Sequence, residues 1–139
     1  MTDFIRVQIN VNTDFKTLWE VYTDPKHIVH WNFASADWHC PSAEVDLRVG
    51  GTYTARMEAK DGSFGFDFAA IYEEIVPNEL LVYRIMDGRK VIANFSEVDG
   101  VSNLEVLFEG EQMNPRDMQQ AGWQAILDNL KHYIHNNLN

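Results

Sequence analysis

Cysteine occurs once in this chain, at Cys40, so no internal disulfide can form and the fold must stand without one. Such usage fits a reducing compartment. Basic residues are also scarce. Against 21 Asp and Glu there are 11 Lys and Arg, which leaves a formal charge of −10 and a pI near 4.7. No Lys/Arg cluster offsets that balance locally, and an acidic surface repels phosphate backbones and anionic bilayers. Neither nucleic acid nor membrane is therefore expected as a partner. No apolar run approaches the roughly 20 residues a membrane span needs. The first residues lack the basic stretch and apolar core of a signal peptide, so a cytoplasmic location is expected. Repeats, low-complexity tracts and linkers are missing as well, and 139 residues suit one domain over 1–139.

Aromatic residues, by contrast, are plentiful: 4 Trp, 5 Tyr and 8 Phe. Rings bury much area per residue and make good walls for an apolar pocket.

The chain opens on alternation. Ile5, Val7, Ile9 and Val11 share one face and Arg6, Gln8 and Asn10 the other, the pattern of a half-buried strand. Thr13 is placed to cap a short helix whose apolar residues are Phe15, Leu18, Trp19 and Tyr22. Thr23-Asp24-Pro25 ends it and starts a second helix of one or two turns carrying His27, Ile28 and Trp31. Residues 32–42 read as a loop or edge segment, too apolar to stand free of the domain.

A meander of strands follows from about residue 43. Gly50-Gly51, Asp61-Gly62, Pro77-Asn78, Asp87-Gly88 and Asp99-Gly100 punctuate it, and Asp-Gly between apolar runs is a strong hairpin signal because type I′ turns need φ > 0 at both central residues. The apolar faces carry Tyr53, Ala55 and Met57; Phe64, Phe66, Phe68, Ala70 and Tyr72; Leu81, Tyr83 and Ile85; Val91, Ala93 and Phe95; Leu104, Val106 and Phe108. The period then changes. Asn114 is placed to cap and Pro115 to open a helix of about 20 residues, striped by Met118, Gly122, Trp123, Ile126, Leu127, Leu130, Tyr133 and Ile134. The order is β, two helices, six strands, one long helix. Segregated strands and helices indicate an α+β fold, with the last helix covering the apolar face of a curved antiparallel sheet.

Blocks in this order resemble the START-like, helix-grip superfamily, and within it the family named for the activator of the heat-shock protein 90 ATPase. They are Leu18-Trp19-Glu20-Val21-Tyr22-Thr23-Asp24-Pro25 with Trp31; Asp46-Leu47-Arg48-Val49-Gly50-Gly51-Thr52-Tyr53; Glu74-Ile75-Val76-Pro77 with Leu81-Val82-Tyr83; and Gly122-Trp123 with Leu127 and Leu130. The chain departs from the family at Ala70, where a glycine is common. The resemblance implies about seven strands wrapped around the C-terminal helix and, across the superfamily, a cavity for hydrophobic small molecules. It does not imply one activity.

Candidate sites follow. Trp31, Phe33, Trp38, Met57, Phe66, Phe68, Tyr83, Phe95, Trp123, Ile126 and Leu127 are expected around the cavity; the plainer reading is a solid core. Gly122 joins them because glycine inside a helix costs roughly 1 kcal/mol against alanine, which suggests a close approach to the backbone there. Arg48 and Tyr53 are candidates for the cavity mouth, where arginine would pair an anionic head; an ordinary ion pair is the plainer reading of Arg48. His27, His30, His39 and Cys40 have the chemistry of metal ligands but not the spacing, so no metal is expected, and no cofactor. No Ser/His/Asp order, phosphate loop or inward carboxylate stands out for catalysis, although Tyr53 or Tyr83 could donate to a bound carbonyl. The function expected is binding of a small hydrophobic molecule, with an enzyme using the same cavity second and a co-chaperone-like module third. A chaperone partner is not expected, because the resemblance consumes the whole chain and leaves out the activator's other domain. A homodimer through the wide sheet is compatible with the sequence.

Overall fold

The computed structural model describes residues 4–138. In chain order the elements are β1 (Phe4–Val11), α1 (Phe15–Thr23), α2 (Pro25–Ile28), β2 (Trp38–Val45), β3 (Thr52–Ala59), β4 (Gly65–Val76), β5 (Leu80–Ile85), β6 (Lys90–Val98), β7 (Val101–Glu109) and α3 (Arg116–Asn137). The strands form one antiparallel sheet in the order β1-β7-β6-β5-β4-β3-β2, which curls around α3. This is the expected helix-grip architecture, with six strands after the two short helices. No helix among the described residues is long and apolar enough to cross a membrane.

Local chemistry sets the element ends. The side chain of Asp14, not Thr13, caps α1 by accepting from the Thr17 amide at 2.7 Å. A carboxylate at this position satisfies one of the helix's orphan amides. Asp24 does the same for α2, with Pro25 in the first turn as expected. The start of α3 has no side-chain cap: Asn114 is bound to Glu111 instead, and the backbone at Pro115 makes the turn. Of the three Asp-Gly turns, Asp99-Gly100 alone has φ > 0 at both positions, 52° and 81°, as a type I′ turn requires. Gly51 serves a different need. A Cβ there would lie 2.1 Å from the Asp46 carbonyl oxygen, so only glycine lets the β2–β3 connection press against its own backbone. That connection is tied to β4, with the Gly50 amide on the Tyr72 oxygen and the Tyr72 amide on the Gly51 oxygen.

Two irregularities bend the sheet. Between Tyr72 and Glu74 the β4–β5 register slips by one residue, and between His39 and Ser42 the β2–β3 pairing is broken around Pro41. Such bulges increase local twist and curl a strand. The bend in β4 therefore lies at Glu73, three residues beyond Ala70, which stays paired with Tyr53 and Ile85 in a buried position.

The two sheet edges are treated differently. The free edge of β1 is covered by a polar row on α3: Gln120 donates to the Arg6 oxygen, and Gln124 both donates to the Gln8 oxygen and accepts from its amide. His135 Nε2 accepts from the Asn12 amide. The helix thus stands in for a neighbouring strand and closes an edge that would otherwise invite pairing. The opposite edge, β2, carries the proline and the bulge, both of which discourage strand addition.

The core runs continuously under the sheet. Val11, Leu18, Ile28, Val91, Leu104, Val106, Phe108, Leu130 and Ile134 have no measurable exposure. Full burial of each such side chain contributes about 1.5–3 kcal/mol of transfer free energy. Three expected members are exposed: Phe66 at 44%, and two that lie outside the sheet altogether. Phe64 precedes β4 in the hairpin connection and is 63% exposed, and Met118 sits in the first turn of α3 beyond the sheet and is 60% exposed.

Candidate functional site

Where β3, β4 and β5 pass beneath the middle of α3, the interior is hollow. A cavity of about 140 Å³ is lined by Tyr22 of α1, Trp31 and Asn32 after α2, Tyr53 and Met57 of β3, Phe66 and Phe68 of β4, Tyr83 of β5, Val106 of β7, and Trp123, Ile126 and Leu127 of α3. Its walls are rings for a physical reason. Strand alternation turns Tyr53, Met57, Phe66, Phe68 and Tyr83 to the concave side, and rigid planes meeting edge to face do not close every gap. Tyr53 and Tyr83 are T-shaped at 5.8 Å, Phe68 and Tyr83 at 6.5 Å. Trp123 is held by stacking on Phe108 at 4.0 Å, and Trp31 by donating its indole N–H to the Val21 oxygen while stacking on Tyr22. Phe66 is 44% exposed and marks the mouth.

Polar groups are few and deep. The Tyr22 and Tyr83 hydroxyls are 3.0 Å apart and share one hydrogen bond. Burial pushes the Tyr22 phenol up to about 12, only partly opposed by that bond. Burial first, and neighbouring phenols second, raise Tyr53 and Tyr83 well above the ordinary tyrosine range. All three are neutral donors at physiological pH. Tyr53 and Asn32 are 6% and 7% exposed; the Asn32 side chain hydrogen-bonds the Cys40 thiol, and the Tyr53 hydroxyl has no partner among the described residues. No fully enclosed polar side-chain atom among the described residues lacks a partner, so the Tyr53 hydroxyl opens onto the cavity that Asn32 also lines. No carboxylate, imidazole, amine or guanidinium is in the lining.

Eight of the residues expected around a cavity meet there: Trp31, Met57, Phe66, Phe68, Tyr83, Trp123, Ile126 and Leu127. The others do not. Phe33 follows Trp31 in a turn rather than a strand and borders a separate surface depression with Ala34, Ser35 and Ala36. Trp38 opens β2 and packs on Phe64 and Phe66 at 5.9 and 6.1 Å, outside the mouth. Phe95 is sealed in solid core between Trp19 and Tyr22. Gly122 is half-buried, and a Cβ there would meet no atom within 4 Å, so no close approach explains it. Arg48 is a surface residue paired with Asp46 at 2.8 Å, as the plainer reading had it. Tyr53 lies in the cavity wall rather than at its mouth.

Sequence reasoning missed Tyr22, Asn32 and Val106 as lining residues. Tyr22 and Val106 stood on stripes already assigned to the core, and Asn32 carried no periodic signal at all. The metal-type residues are dispersed. His27 Nδ1 bonds the Tyr133 hydroxyl, His30 stacks on the same ring, and His39 faces Glu58. Cys40 turns inward, where burial pushes its thiol up. No group of three metal-ligating side chains is found among the described residues.

Comparison with known proteins gives a consistent picture. The family model described as Activator of Hsp90 ATPase homolog 1-like protein matches residues 12–135. The solution structure of the AHSA1-like protein from Aeromonas hydrophila is similar at 36% identity and a TM-score of 0.87, over 95% of this chain and 93% of that one. Protein Chr148 from Cytophaga hutchinsonii is similar at 44% identity and a TM-score of 0.83, over 97% and 94%. Protein CV1439 from Chromobacterium violaceum, at 23% identity and a TM-score of 0.81 over 94% and 96%, shares the fold. No curated protein matches.

Proposed function

Because the chain belongs to the Activator of Hsp90 ATPase homolog 1-like family, we propose that it binds a small hydrophobic molecule in the cavity between its sheet and its C-terminal helix. The observation that carries this reading is the hollow itself, apolar on nearly every side and supplied with a few deep polar groups. Small-molecule sites have that composition, with apolar walls for affinity and sparse polar groups for orientation. A larger hollow of about 620 Å³ between α1 and the β2–β3 connection is an open groove with Lys16, Glu20 and Asp24 in its walls, and fits such a ligand poorly.

An enzyme using the same cavity is the second reading, favoured by the Tyr22–Tyr83 pair. A neutral phenol held by a second phenol can donate to a carbonyl oxygen as charge develops on it. Proton abstraction would need a base within hydrogen-bond reach, and the lining offers none. Binding is therefore the reading the site supports best. A chaperone-docking role has only the acidic surface behind it.

Native mass spectrometry of the purified protein, followed by denaturing extraction, tests the proposal. A discrete retained mass released on unfolding is the expected result. A protein that comes through empty, and whose melting temperature is unmoved by any apolar additive, would contradict it.

A further inference from the structure

We infer that the ligand is a neutral single-ring aromatic molecule bearing one hydrogen-bonding oxygen, an aryl carbonyl or a phenol, and not a lipid, a sterol or an organic acid. The inference rests on the binding role proposed above and narrows it by size, charge and polarity.

Size comes first. The cavity measures about 140 Å³. A dry apolar cavity of about 150 Å³ accepts a benzene ring, and an acyl chain or fused ring system needs several times that space. Shape agrees, since Trp31, Phe68, Tyr83 and Trp123 present ring faces and edges against which another ring packs well. Charge comes second. No cationic side chain lines the cavity and the chain carries a formal −10, so a carboxylate entering would lose its water with only neutral donors and no positive charge to offset it. Polarity comes third. The Tyr53 hydroxyl is buried, opens onto the cavity and has no hydrogen-bond partner among the described residues, and the Asn32 amide in the same lining keeps donor and acceptor capacity beyond its one bond to the Cys40 thiol. In the Tyr22–Tyr83 pair one hydroxyl donates to the other, which leaves the acceptor's own proton free to point inward. A plain hydrocarbon would leave these groups dry and unpaired. One carbonyl or hydroxyl oxygen answers them, and occupancy of a pocket by such a group is favoured because a desolvated, unmatched polar group is costly.

Isothermal titration with four probes on the full chain tests this: acetophenone, ethylbenzene, benzoate at pH 7.5 and decanoate. Acetophenone is expected to bind about fivefold or more tighter than ethylbenzene, with no detectable binding of the two anions. In Tyr53→Phe and Asn32→Ala the acetophenone advantage is expected to shrink severalfold while ethylbenzene affinity is unchanged, a split that general damage to the fold would not produce. Ethylbenzene binding as tightly as acetophenone to the unaltered protein would overturn the inference, as would decanoate binding more tightly than either, and both outcomes would leave the wider binding role standing. Silence from all four probes would overturn the two together.

Discussion

The interior of this protein has two unlike halves. Under β1, β7 and β6 it is built mostly from branched aliphatic side chains, with Val7, Val11, Val91 and Leu104 all at or near zero exposure and the rings Phe95 and Phe108 packed closely on Trp19, Tyr22 and Trp123. Under β3, β4 and β5 it is built from rings, with Tyr53, Phe68, Tyr72 and Tyr83 in edge-to-face or stacked contact. The aliphatic half packs solid and the aromatic half leaves a hollow. Branched aliphatics interdigitate to crystal-like density, whereas rings held by edge contacts and by hydroxyls that seek partners accept gaps. One half therefore supplies stability and the other holds space open. The helix α3 serves both, with Leu130 and Ile134 in the solid part and Trp123, Ile126 and Leu127 over the hollow.

The sharpest way to break this contrast is to truncate one side chain of α3 on each side of it. Leu130→Ala is expected to cost about 3 kcal/mol, since the removed atoms leave a new void in close packing. Ile126→Ala, one turn away and half-buried at the edge of an existing hollow, is expected to cost less than half as much. Urea denaturation reads both, and equal losses would erase the distinction.

The tyrosines supply the next test, because the aromatic half should respond to alkali and the aliphatic half should not. A phenol whose folded pKa is raised contributes stability that is complete below its unfolded value, near 10, and that is lost as pH rises toward the folded value. For Tyr22 the window runs from the ordinary tyrosine value near 10 to about 12. Its share of the loss is about 2–3 kcal/mol across that window. Unfolding free energy measured at pH 9 and at pH 11.5 should therefore fall steeply, and the fall should be smaller in Tyr22→Phe. A tyrosinate absorbance that grew in smoothly at ordinary pKa without unfolding would show that the cluster is wet.

How much of this was legible beforehand varies by kind of residue. Alternation placed Tyr53, Met57, Phe68 and Tyr83 on the concave face, and the three-and-four spacing did the same for Trp123 and Leu127. Period reports which face a side chain takes but not which part of the interior lies beneath it, and so Phe95, which α1 seals from above, looked like a wall residue. Phe64 continued the alternation of β4 in sequence while standing outside the strand in space. Asn32 was invisible because its position depends on the turn after α2, which has no period, and on Asn129 of α3 tying the neighbouring Trp31 carbonyl in place at 2.9 Å. The one-residue shift of the α1 cap from Thr13 to Asp14 is of the same sort, since both residue types cap and only the local backbone chooses.

A smaller effect belongs to Gly122. Nothing presses on it, so Gly122→Ala is expected to stabilise α3 by up to about 1 kcal/mol in thermal or chemical unfolding. A destabilised variant would reveal a contact at that turn which the open space around it does not suggest.

The most direct test of the central claim is a methyl-resolved NMR titration with an apolar aromatic probe such as ethylbenzene. Shift changes are expected at the methyl groups of Met57, Val106, Ile126 and Leu127, which line the hollow, with those of Val7, Ile9, Leu130 and Ile134 left unmoved. Changes spread evenly over both sets, or absent from the first, would contradict it.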